Sequence, residues 1–118
     1  MTTTTTHAPA VDPNDLGRFF VERANAGDVE GLVALYEPGA ILAFPAGSIA
    51  TGHGEIRQVY RDLLADRPRF EPGTQQPPLV YGDFALTSAL LVDGGVTVEI
   101  AHRQPDGNWL WAADHPTV

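Results

Sequence analysis

Apolar residues recur at helical spacing through the first half of the chain, in three segments that each end at glycine or proline. The first segment begins at Asp12-Pro13, where Asp12 can cap a helix and proline suits the first turn, and it ends at Gly27. The second runs from Asp28 to Pro38-Gly39, and the third, TGHGEIRQVYRDLLADRP, closes at Pro68. The apolar positions three or four residues apart are Leu16, Phe19, Phe20 and Ala24, then Val29, Leu32, Val33 and Tyr36, then Ile56, Val59, Tyr60, Leu63 and Leu64. We therefore predict three helices.

The last third of the chain changes to a period of two, which is typical of strands. The stretches FALTSALLV, VTVEIAHR and WLWAAD are separated by DGG and PDG, and this pattern predicts an antiparallel meander of three strands. A strand-like AILAF precedes the third helix, and the prolines between 69 and 82 restrict that stretch to an interrupted or edge strand. Helices followed by a mostly antiparallel sheet predict an α+β fold with the helices on one face.

The two turns of the meander determine which side chains lie opposite each other. We interpret Pro105-Asp106-Gly107 and Asp93-Gly94-Gly95 as three-residue loops that end in a left-handed glycine. The predicted opposite pairs are His102 with Leu110, Ile100 with Ala112, Val98 with Asp114, Leu90 with Val98, Ser88 with Ile100, and Leu86 with His102. A two-residue or a four-residue turn would reverse part of this register.

This register predicts two faces of the meander. The more apolar face is expected to point toward the helices, and it carries Phe84, Leu86, Ser88, Leu90, Val92, Val96, Val98, Ile100, His102, Leu110, Ala112 and Asp114. Because neighbours in a strand alternate, Asp114 is expected to point inward and His115 outward. The opposite face, with Trp109, Trp111 and Ala101, is too apolar to be wholly exposed, so we expect it to form a homodimer contact.

Composition limits the partners of the protein. The 118 residues, 43% of them hydrophobic, suit one domain over residues 12–118 after a disordered, threonine-rich tail of residues 1–11, in which His7 is expected to be solvated. The net charge is −8 and the seven arginines are scattered, so nucleic acids and anionic membranes are not expected partners. No apolar run approaches the ~20 residues of a membrane span, and the N-terminus lacks the features of a secretory signal. We expect a cytoplasmic protein.

Several polar residues are candidates for chemistry. Asp114 on an apolar face would be desolvated, which raises a carboxyl pKa and suits a general acid or base; capping a buried backbone group is the alternative. His102 is expected about 13 Å away at ~3.3 Å per residue, so it could act only on another part of a ligand, or serve as a hydrogen-bonded core or rim histidine. Tyr60 is either a core aromatic or a hydroxyl donor. His53 is either an exposed turn residue or a donor at a pocket mouth.

Other kinds of site lack their sequence signals. There is no cysteine, and the four histidines have no metal-ligand spacing. No phosphate-binding glycine loop or nucleophile elbow occurs in the chain. We therefore expect neither a metal nor a cofactor.

Three segments of the chain, in their order and spacing, resemble the nuclear transport factor 2-like superfamily. They are FFVERANAGDVEGLVALYEPGAILAFP, GHGEIRQVYRDLL and the terminal meander ending QPDGNWLWAAD, and they cover about residues 14 to 115. Within the superfamily, the chain resembles the steroid Δ-isomerases and the SnoaL-like polyketide cyclases. The resemblance implies a curved sheet wrapped as a cone around the helices, an apolar cavity of ligand size and, usually, a dimer.

The resemblance does not carry over the isomerase chemistry. The positions that match the isomerase base, its oxyanion tyrosine and its protonated aspartic acid are all apolar here: Phe44, Phe20 and Ile100. The positions that match supporting tyrosines are Tyr36 and Tyr60, and those that match the cavity lining are Ser88, Ala112 and Asp114. Some SnoaL-like cyclases place an acid–base aspartate on the last strand and a histidine on the strand before it, an arrangement similar to Asp114 and His102.

These observations predict a cofactor-independent enzyme that transfers protons on a small apolar substrate, polycyclic or isoprenoid-like, by isomerisation, cyclisation, dehydration or epoxide opening. Asp114 would be the acid–base group, with Tyr60 and Tyr36 as oxygen-polarising donors. The secondary polar contacts would be His102 and Ser88, and the apolar wall would be Phe20, Phe44, Leu90, Val98 and Ile100. The alternative is a non-catalytic small-molecule-binding domain of the same fold.

Overall fold

A computed structural model describes residues 7–117, in which three helices pack against one seven-stranded sheet. The helices are α1 (Asp15–Asn25), α2 (Val29–Val33) and α3 (Gly52–Leu64). The strands are β1 (Tyr36–Leu42), β2 (Ala50–Thr51), β3 (Thr74–Gln75), β4 (Leu79–Tyr81), β5 (Phe84–Leu90), β6 (Val96–Arg103) and β7 (Trp109–His115). The α+β class and the three helices are as predicted. No helix within residues 7–117 has the length and apolar character needed to cross a membrane.

The second helix is shorter than its apolar pattern indicates. Asp28 caps it as expected, because its Oδ1 accepts the Gly31 N–H at 3.0 Å. The helix ends at Val33, however, and Tyr36, predicted on its apolar face, is the first residue of β1. The physical reason is Pro38, which has no N–H to donate and disfavours helical geometry at the residue before it. Tyr36 therefore enters the sheet, where it is 1% exposed.

The sheet is curved, unclosed and mostly antiparallel, in the order β2-β1-β7-β6-β5-β3, with β4 also pairing with β5. The exception is β1, which runs parallel to β7 and brings Leu42 opposite Asp114. The first and last strands of the described residues are thus neighbours. This arrangement brings residues from distant parts of the sequence together at the centre of the sheet.

The turn between β5 and β6 differs from the predicted loop. Its three loop residues are 92–94, because the Leu91 N–H donates to the Gly95 carbonyl at 2.8 Å. Leu90 therefore lies opposite Val96 rather than Val98. The pairing register of β5 and β6 is shifted by two residues, so the residues predicted to share a face of the sheet still do so.

The turn between β6 and β7 is the predicted one, but the strands after it are not regular. Gln104 and Asn108 close the loop, and His102 lies opposite Leu110 as expected. Beyond Trp111 the register shifts, so that Ile100 lies opposite Ala113 instead of Ala112. Ala112 is thus the extra residue of a β-bulge, and every residue after it changes face relative to a regular strand.

The prediction of which face meets the helices was wrong. The inner face, which packs on the helices, carries Ala85, Thr87, Thr97, Glu99, Ala101, Trp109, Trp111 and, after the bulge, Asp114. The outer face carries Phe84, Leu86, Ser88, Leu90, Val98, Ile100 and His102. The inner face has fewer apolar residues but contains the two tryptophans, each at most 4% exposed, and two alanines that leave room for the helices. Counting apolar positions therefore gave the wrong orientation.

The segment before α1 packs against the domain from His7 onward. The Trp109 N–H donates to the Ala10 carbonyl at 2.9 Å, and the Arg23 guanidinium donates to the Ala8 carbonyl at 3.2 Å. His7, predicted to be solvated, instead lies with its Nε2 2.7 Å from the Asp28 carboxylate. Residues 1–6 of the predicted tail lie outside the described residues.

Candidate active site

A mostly apolar cavity of about 250 Å³ lies between the helices and the inner face of the sheet. Helices α1 and α3 supply one wall and the strands supply the other, while residues near the two ends of β3 and the end of β7 surround it. The residues that line it include Phe20, Val21, Phe44, Tyr60, Leu63, Phe70, Glu71, Gln75, Leu91, Thr97, Glu99, Trp111, Asp114 and Pro116. The predicted contacts of Phe20, Phe44, Tyr60 and Asp114 with a cavity are therefore present in the fold.

Asp114 reaches the cavity because of the bulge at Ala112. In a regular strand that has Trp111 on the inner face, Asp114 would lie on the outer face, three residues later. The extra residue returns Asp114 to the inner face, where it is only 6% exposed, and leaves His115 exposed. The sequence-based orientation of both residues is correct, although two errors, the inverted faces and the missed bulge, cancelled to produce it.

A chain of hydroxyl groups leads away from the Asp114 carboxyl. The Tyr36 hydroxyl donates to Asp114 Oδ2 at 2.5 Å, and it lies 2.5 Å from the Tyr60 hydroxyl. Tyr36 comes from the start of β1 and Tyr60 from the buried side of α3, so three elements meet at this point. Burial raises the pKa of both tyrosines, and the Asp114 charge raises it further. Both phenols are therefore neutral hydrogen-bond donors at ordinary pH.

The Asp114 carboxyl is held close to its titration midpoint at neutral pH. Burial raises its pKa from 3.8 to about 7, the Tyr36 hydrogen bond opposes this increase, and the charge of Glu99 adds to it. A carboxyl with such a pKa can both donate and accept a proton near pH 7. Within residues 7–117, Asp114 Oδ1 makes no hydrogen bond and is the oxygen left for the cavity.

Glu99 is the functional candidate that sequence reasoning missed. It lies directly opposite Asp114 on β6, lines the same cavity and is 7% exposed. Its Oε1 accepts the Thr87 hydroxyl at 2.7 Å. Burial raises the pKa of Glu99, and the hydroxyls of Thr97 and Thr87 lower it. The signal that could have identified it is strand alternation: the register that pairs His102 with Leu110 places Glu99 on the same face as Trp109 and Trp111, the largest apolar side chains of the meander.

His102 does not reach the cavity, contrary to the prediction. Its ring stacks on Phe84 at 4.6 Å between centroids, and its Nδ1 lies 2.8 Å from the Glu37 carboxylate. Both contacts are at the outer face, on the opposite side of the sheet from Asp114. His102 is hydrogen-bonded, as the alternative hypothesis of a core or rim histidine requires, but it lies on the outer face of the sheet, away from both the core and the cavity.

Tyr36, also predicted to contact the ligand, lies outside the cavity lining because its hydroxyl is buried against Asp114 and Tyr60. Five other predicted contacts lie away from the lining because the sheet faces the other way or the residue sits in the bulge. They were assigned to the inner face by their apolar neighbours, but the sheet has the opposite orientation, and Ala112 sits in the bulge. These residues are Ser88, Leu90, Val98, Ile100 and Ala112. Ile100, which matches the acid of the steroid isomerases in the sequence comparison, is 41% exposed, and its neighbour Glu99 supplies a carboxyl to the cavity instead.

His53 has a structural role that neither sequence hypothesis included. It lies in the first turn of α3, is partly buried, and its Nε2 is 2.8 Å from the Tyr36 backbone carbonyl. The contact ties α3 to the start of β1. It therefore supports the position of Tyr36 without lining the cavity.

The cavity contains no obvious set of metal ligands. Within residues 7–117, no three histidine, aspartate or glutamate side chains are gathered in a way that could hold a metal ion. The carboxyl, hydroxyl and amide groups that line the cavity, among apolar walls, are those of Asp114, Glu99, Glu71, Tyr60, Thr97, Thr117 and Gln75. Such a set can exchange protons with a bound molecule and can hydrogen-bond its oxygen atoms.

Comparison with solved structures finds the same fold in several proteins of low sequence identity. An NTF2-like family protein from Streptomyces avermitilis, for which dehydratase activity is proposed, is 20% identical, with a TM-score of 0.71 over 89% of this chain and 93% of that one. A ketosteroid isomerase-like protein from Erwinia carotovora atroseptica is 17% identical, with a TM-score of 0.69 over 87% and 90%. An NTF2-like protein of unknown function from Shewanella oneidensis is 17% identical, with a TM-score of 0.68 over 86% and 93%. These similarities show the fold alone.

Sequence comparisons identify the family. No curated protein sequence matches the chain significantly. The family model for the SnoaL-like domain matches residues 17–115, which include all three helices in whole or large part and the complete sheet. The chain therefore belongs to the SnoaL-like domain family, and it has the NTF2-like fold.

Proposed function

We propose that this protein is a cofactor-independent acid–base enzyme that acts on a small, largely apolar molecule held in the cavity. The observation that carries the proposal is the position of Asp114, which is buried against the cavity and bonded through Oδ2 to Tyr36. Its second oxygen remains for a ligand. A buried carboxyl with a pKa of about 7 is the kind of group that transfers protons in enzymes working at neutral pH.

The tyrosine chain supports a catalytic role over a purely structural one. A carboxyl that only satisfied a backbone group would need no second partner, whereas Asp114 ends a chain of two buried phenols. Such a chain stabilises the ionised form of Asp114 after it has given up its proton. The cost of burying this carboxyl is thus offset without removing its ability to titrate.

Cavity size bounds the substrate. A closed apolar cavity of roughly 150 Å³ accommodates benzene, so about 250 Å³ suits a molecule of one or two rings. The similarity to a protein with proposed dehydratase activity and to a ketosteroid isomerase-like protein is consistent with proton transfer next to a carbonyl.

The proposal can be tested without knowing the natural substrate. We would screen cyclic ketones and the matching hydrocarbons of one, two and four rings by thermal shift, and then measure deuterium uptake from D2O into the bound ketones by mass spectrometry. The native chain should bind the smaller ketones and catalyse exchange at the carbon beside the carbonyl. Asp114→Asn should lose exchange, while Asp66→Asn, the same change at an exposed position, should keep it.

Two results would contradict the enzyme proposal. The first is binding with exchange rates that are equal in the native chain and Asp114→Asn, which would support the non-catalytic binding domain. The second is the absence of binding by every ketone and hydrocarbon, which would rule out the cavity as a site for such molecules.

We also propose that the outer face binds a second copy of this chain. Leu79, Leu86 and Ile100 lie side by side across β4, β5 and β6, and each is at least 41% exposed. Phe84 and Leu90 extend this row along β5. A continuous apolar surface can pack against the same surface of a second copy related by a two-fold axis. A charged partner would provide no apolar surface to cover these side chains. The dimer contact therefore belongs on the face opposite to the one predicted.

A further inference from the structure

A pair of buried carboxyls faces the cavity from neighbouring strands. Glu99 on β6 and Asp114 on β7 are direct partners in the antiparallel ladder, and both line the cavity. Directly opposite residues in such a ladder have Cβ atoms about 5 Å apart. One small molecule in the cavity can therefore contact both carboxyls at once.

The surroundings of the pair favour the presence of one proton. Tyr36 and Tyr60 face Asp114, Thr87 and Thr97 face Glu99, and all four are uncharged donors. The residues of the described chain that line the cavity include no arginine, lysine or histidine, and its one further charged member is the carboxyl Glu71. Two adjacent carboxylates without a cation repel each other in a buried site, so one of them keeps a proton.

The hydrogen bonds distinguish the two carboxyls. Asp114 uses Oδ2 to accept from Tyr36, which leaves Oδ1 to carry a proton toward the cavity. Glu99 is stabilised as a carboxylate by two hydroxyls, those of Thr87 at 2.7 Å and Thr97. Within residues 7–117, Asp114 accepts from Tyr36 alone. The arrangement suits a neutral Asp114 beside an ionised Glu99.

We infer that Glu99 and Asp114 act as a one-proton pair on a small β-hydroxy carbonyl compound, with Glu99 as the base and Asp114 as the acid in the loss of water. This inference rests on the proposed function and adds a second catalytic residue and a substrate class to it. With a simple ketone, the Asp114 proton polarises the carbonyl oxygen while Glu99 removes the neighbouring proton, so Asp114→Asn still loses deuterium exchange. The cavity volume of about 250 Å³ suits a compound of one or two rings.

The reaction balances without any further reagent. Glu99 removes the proton from the carbon beside the carbonyl, and the electron pair of that C–H bond forms the new C=C bond. The bond from the next carbon to its hydroxyl oxygen breaks, and the oxygen leaves as water with the proton of Asp114. Transfer of one proton from Glu99 back to Asp114 then restores the starting state.

Two carboxyls favour this reaction over a proton shift within the substrate. A 1,3-proton shift needs one carboxylate, because the same group can remove the proton and return it. Elimination of water needs a base at carbon and a proton donor at a different atom, the leaving oxygen. Glu99 and Asp114 supply both from one side of the cavity.

The first test follows the titration of the pair and needs no substrate. Carboxyl ¹³C shifts in Asp- and Glu-labelled protein should show that Glu99→Gln lowers the apparent pKa of Asp114, by about one pH unit or more if the two groups share a proton. Asp114→Asn should lower that of Glu99. Glu22→Gln, on the exposed side of α1, should change neither. Titrations that are the same in all variants would overturn the pair.

The second test follows the conversion of 3-hydroxycyclohexanone to cyclohexenone by the ultraviolet absorbance of the enone. The native chain should form the enone with a bell-shaped pH profile, and each of Glu99→Gln and Asp114→Asn should be about 100-fold slower or worse. The Glu22→Gln variant should react at the native rate, and 4-hydroxycyclohexanone, which cannot form the enone by direct loss of water, should give none.

The outcomes separate this inference from the proposed function. If Asp114→Asn stops enone formation and Glu99→Gln does not, the role of Glu99 is wrong and the acid–base proposal stands. The dehydration is also wrong if the native chain exchanges deuterium into ketones but forms no enone. If the native chain does neither, both proposals fail.

Discussion

Tyr36 and Asp114 are 78 positions apart in the sequence, yet the Tyr36 hydroxyl donates to the Asp114 carboxyl at 2.5 Å. Parallel pairing of β1 with β7 brings the two residues together, and α3 adds Tyr60 to the same point. The candidate active site thus depends on the strand pair that joins the first and last strands of the domain. Changes at this point are expected to alter titration and stability together.

Replacement of Tyr36 by phenylalanine should raise the pKa of Asp114 above about 7, because the carboxylate loses its buried donor while burial remains. It should also lower the free energy of unfolding by about 1–3 kcal/mol, since Tyr60 loses its hydroxyl partner. Carboxyl ¹³C titration and urea unfolding measure the two effects. Tyr81→Phe, at a residue that is 88% exposed, is the matched control and should change neither. An unchanged or lower Asp114 pKa would contradict the role assigned to Tyr36.

Replacement of Asp114 by asparagine should change how stability depends on pH. The pKa of Asp114 is about 7 in the folded chain against an ordinary 3.8, so the native state binds the proton more tightly than the unfolded state does. Its contribution to stability is therefore fully present below about pH 4 and is lost as the pH rises to 7. At 1.36 kcal/mol per unit, the loss amounts to about 4 kcal/mol.

Asp114→Asn lacks this titration and should not lose this stability. Between pH 4 and pH 8, the difference in free energy of unfolding between Asp114→Asn and the native chain should therefore change by about 4 kcal/mol in favour of the variant. Urea unfolding at several pH values measures the difference. Asp66→Asn should follow the native pH dependence, because that carboxyl is exposed. Parallel curves for Asp114→Asn and the native chain would show that Asp114 has an ordinary pKa.

Replacement of Thr87 by valine should raise the pKa of Glu99 further. Valine has nearly the same shape as threonine, and Thr87 is 1% exposed, so the main change is loss of the hydroxyl that donates to Glu99 Oε1. The carboxylate form then loses stabilisation while burial is unchanged. Carboxyl ¹³C titration in Glu-labelled protein measures the shift. Thr74→Val, at an exposed threonine outside the cavity lining, serves as the control.

Replacement of Ile100 by lysine should dissociate the proposed dimer, because it places a charge in the centre of the apolar outer face. Sedimentation equilibrium should show a dimer for the native chain and a monomer for this variant. Ile49→Lys introduces the same charge at a residue that is 70% exposed and lies outside the sheet, and it should remain dimeric. A native chain that sediments as a monomer at micromolar concentration would contradict the proposal.

The fold was largely predictable because its signals are local. Helical spacing, proline and glycine stops and two glycine-containing turns each act over a few residues, and they correctly indicate three helices and a meander. The change from helix to strand before Tyr36 depends on Pro38. It was missed because the helical spacing of apolar residues extends to Tyr36. Parallel pairing of β1 with β7 has no local signal at all, so the contact between Tyr36 and Asp114 could not be derived from spacing.

The site was predictable only in part because it depends on which side of the sheet the helices cover. That choice follows from the volumes of Trp109 and Trp111 and from the small size of Ala101, and not from the number of apolar residues on each face. Asp114 was placed correctly, whereas His102 was placed on the wrong side and Glu99 was overlooked. Because both faces of this sheet carry many apolar residues, the pattern of apolar positions alone does not determine which face packs on the helices.

The extra residue at Ala112 also affects how relatives should be aligned. In this chain the acid follows Trp111 by three positions, and the bulge at Ala112 brings it back to the inner face. In a regular strand, an acid that follows the same tryptophan by two positions lies on that face too. In a relative whose strand is regular, an ungapped alignment of this segment would match Asp114 with a side chain that points away from the cavity. Searches for the acid in distant members should therefore allow a one-residue gap between this tryptophan and the carboxyl.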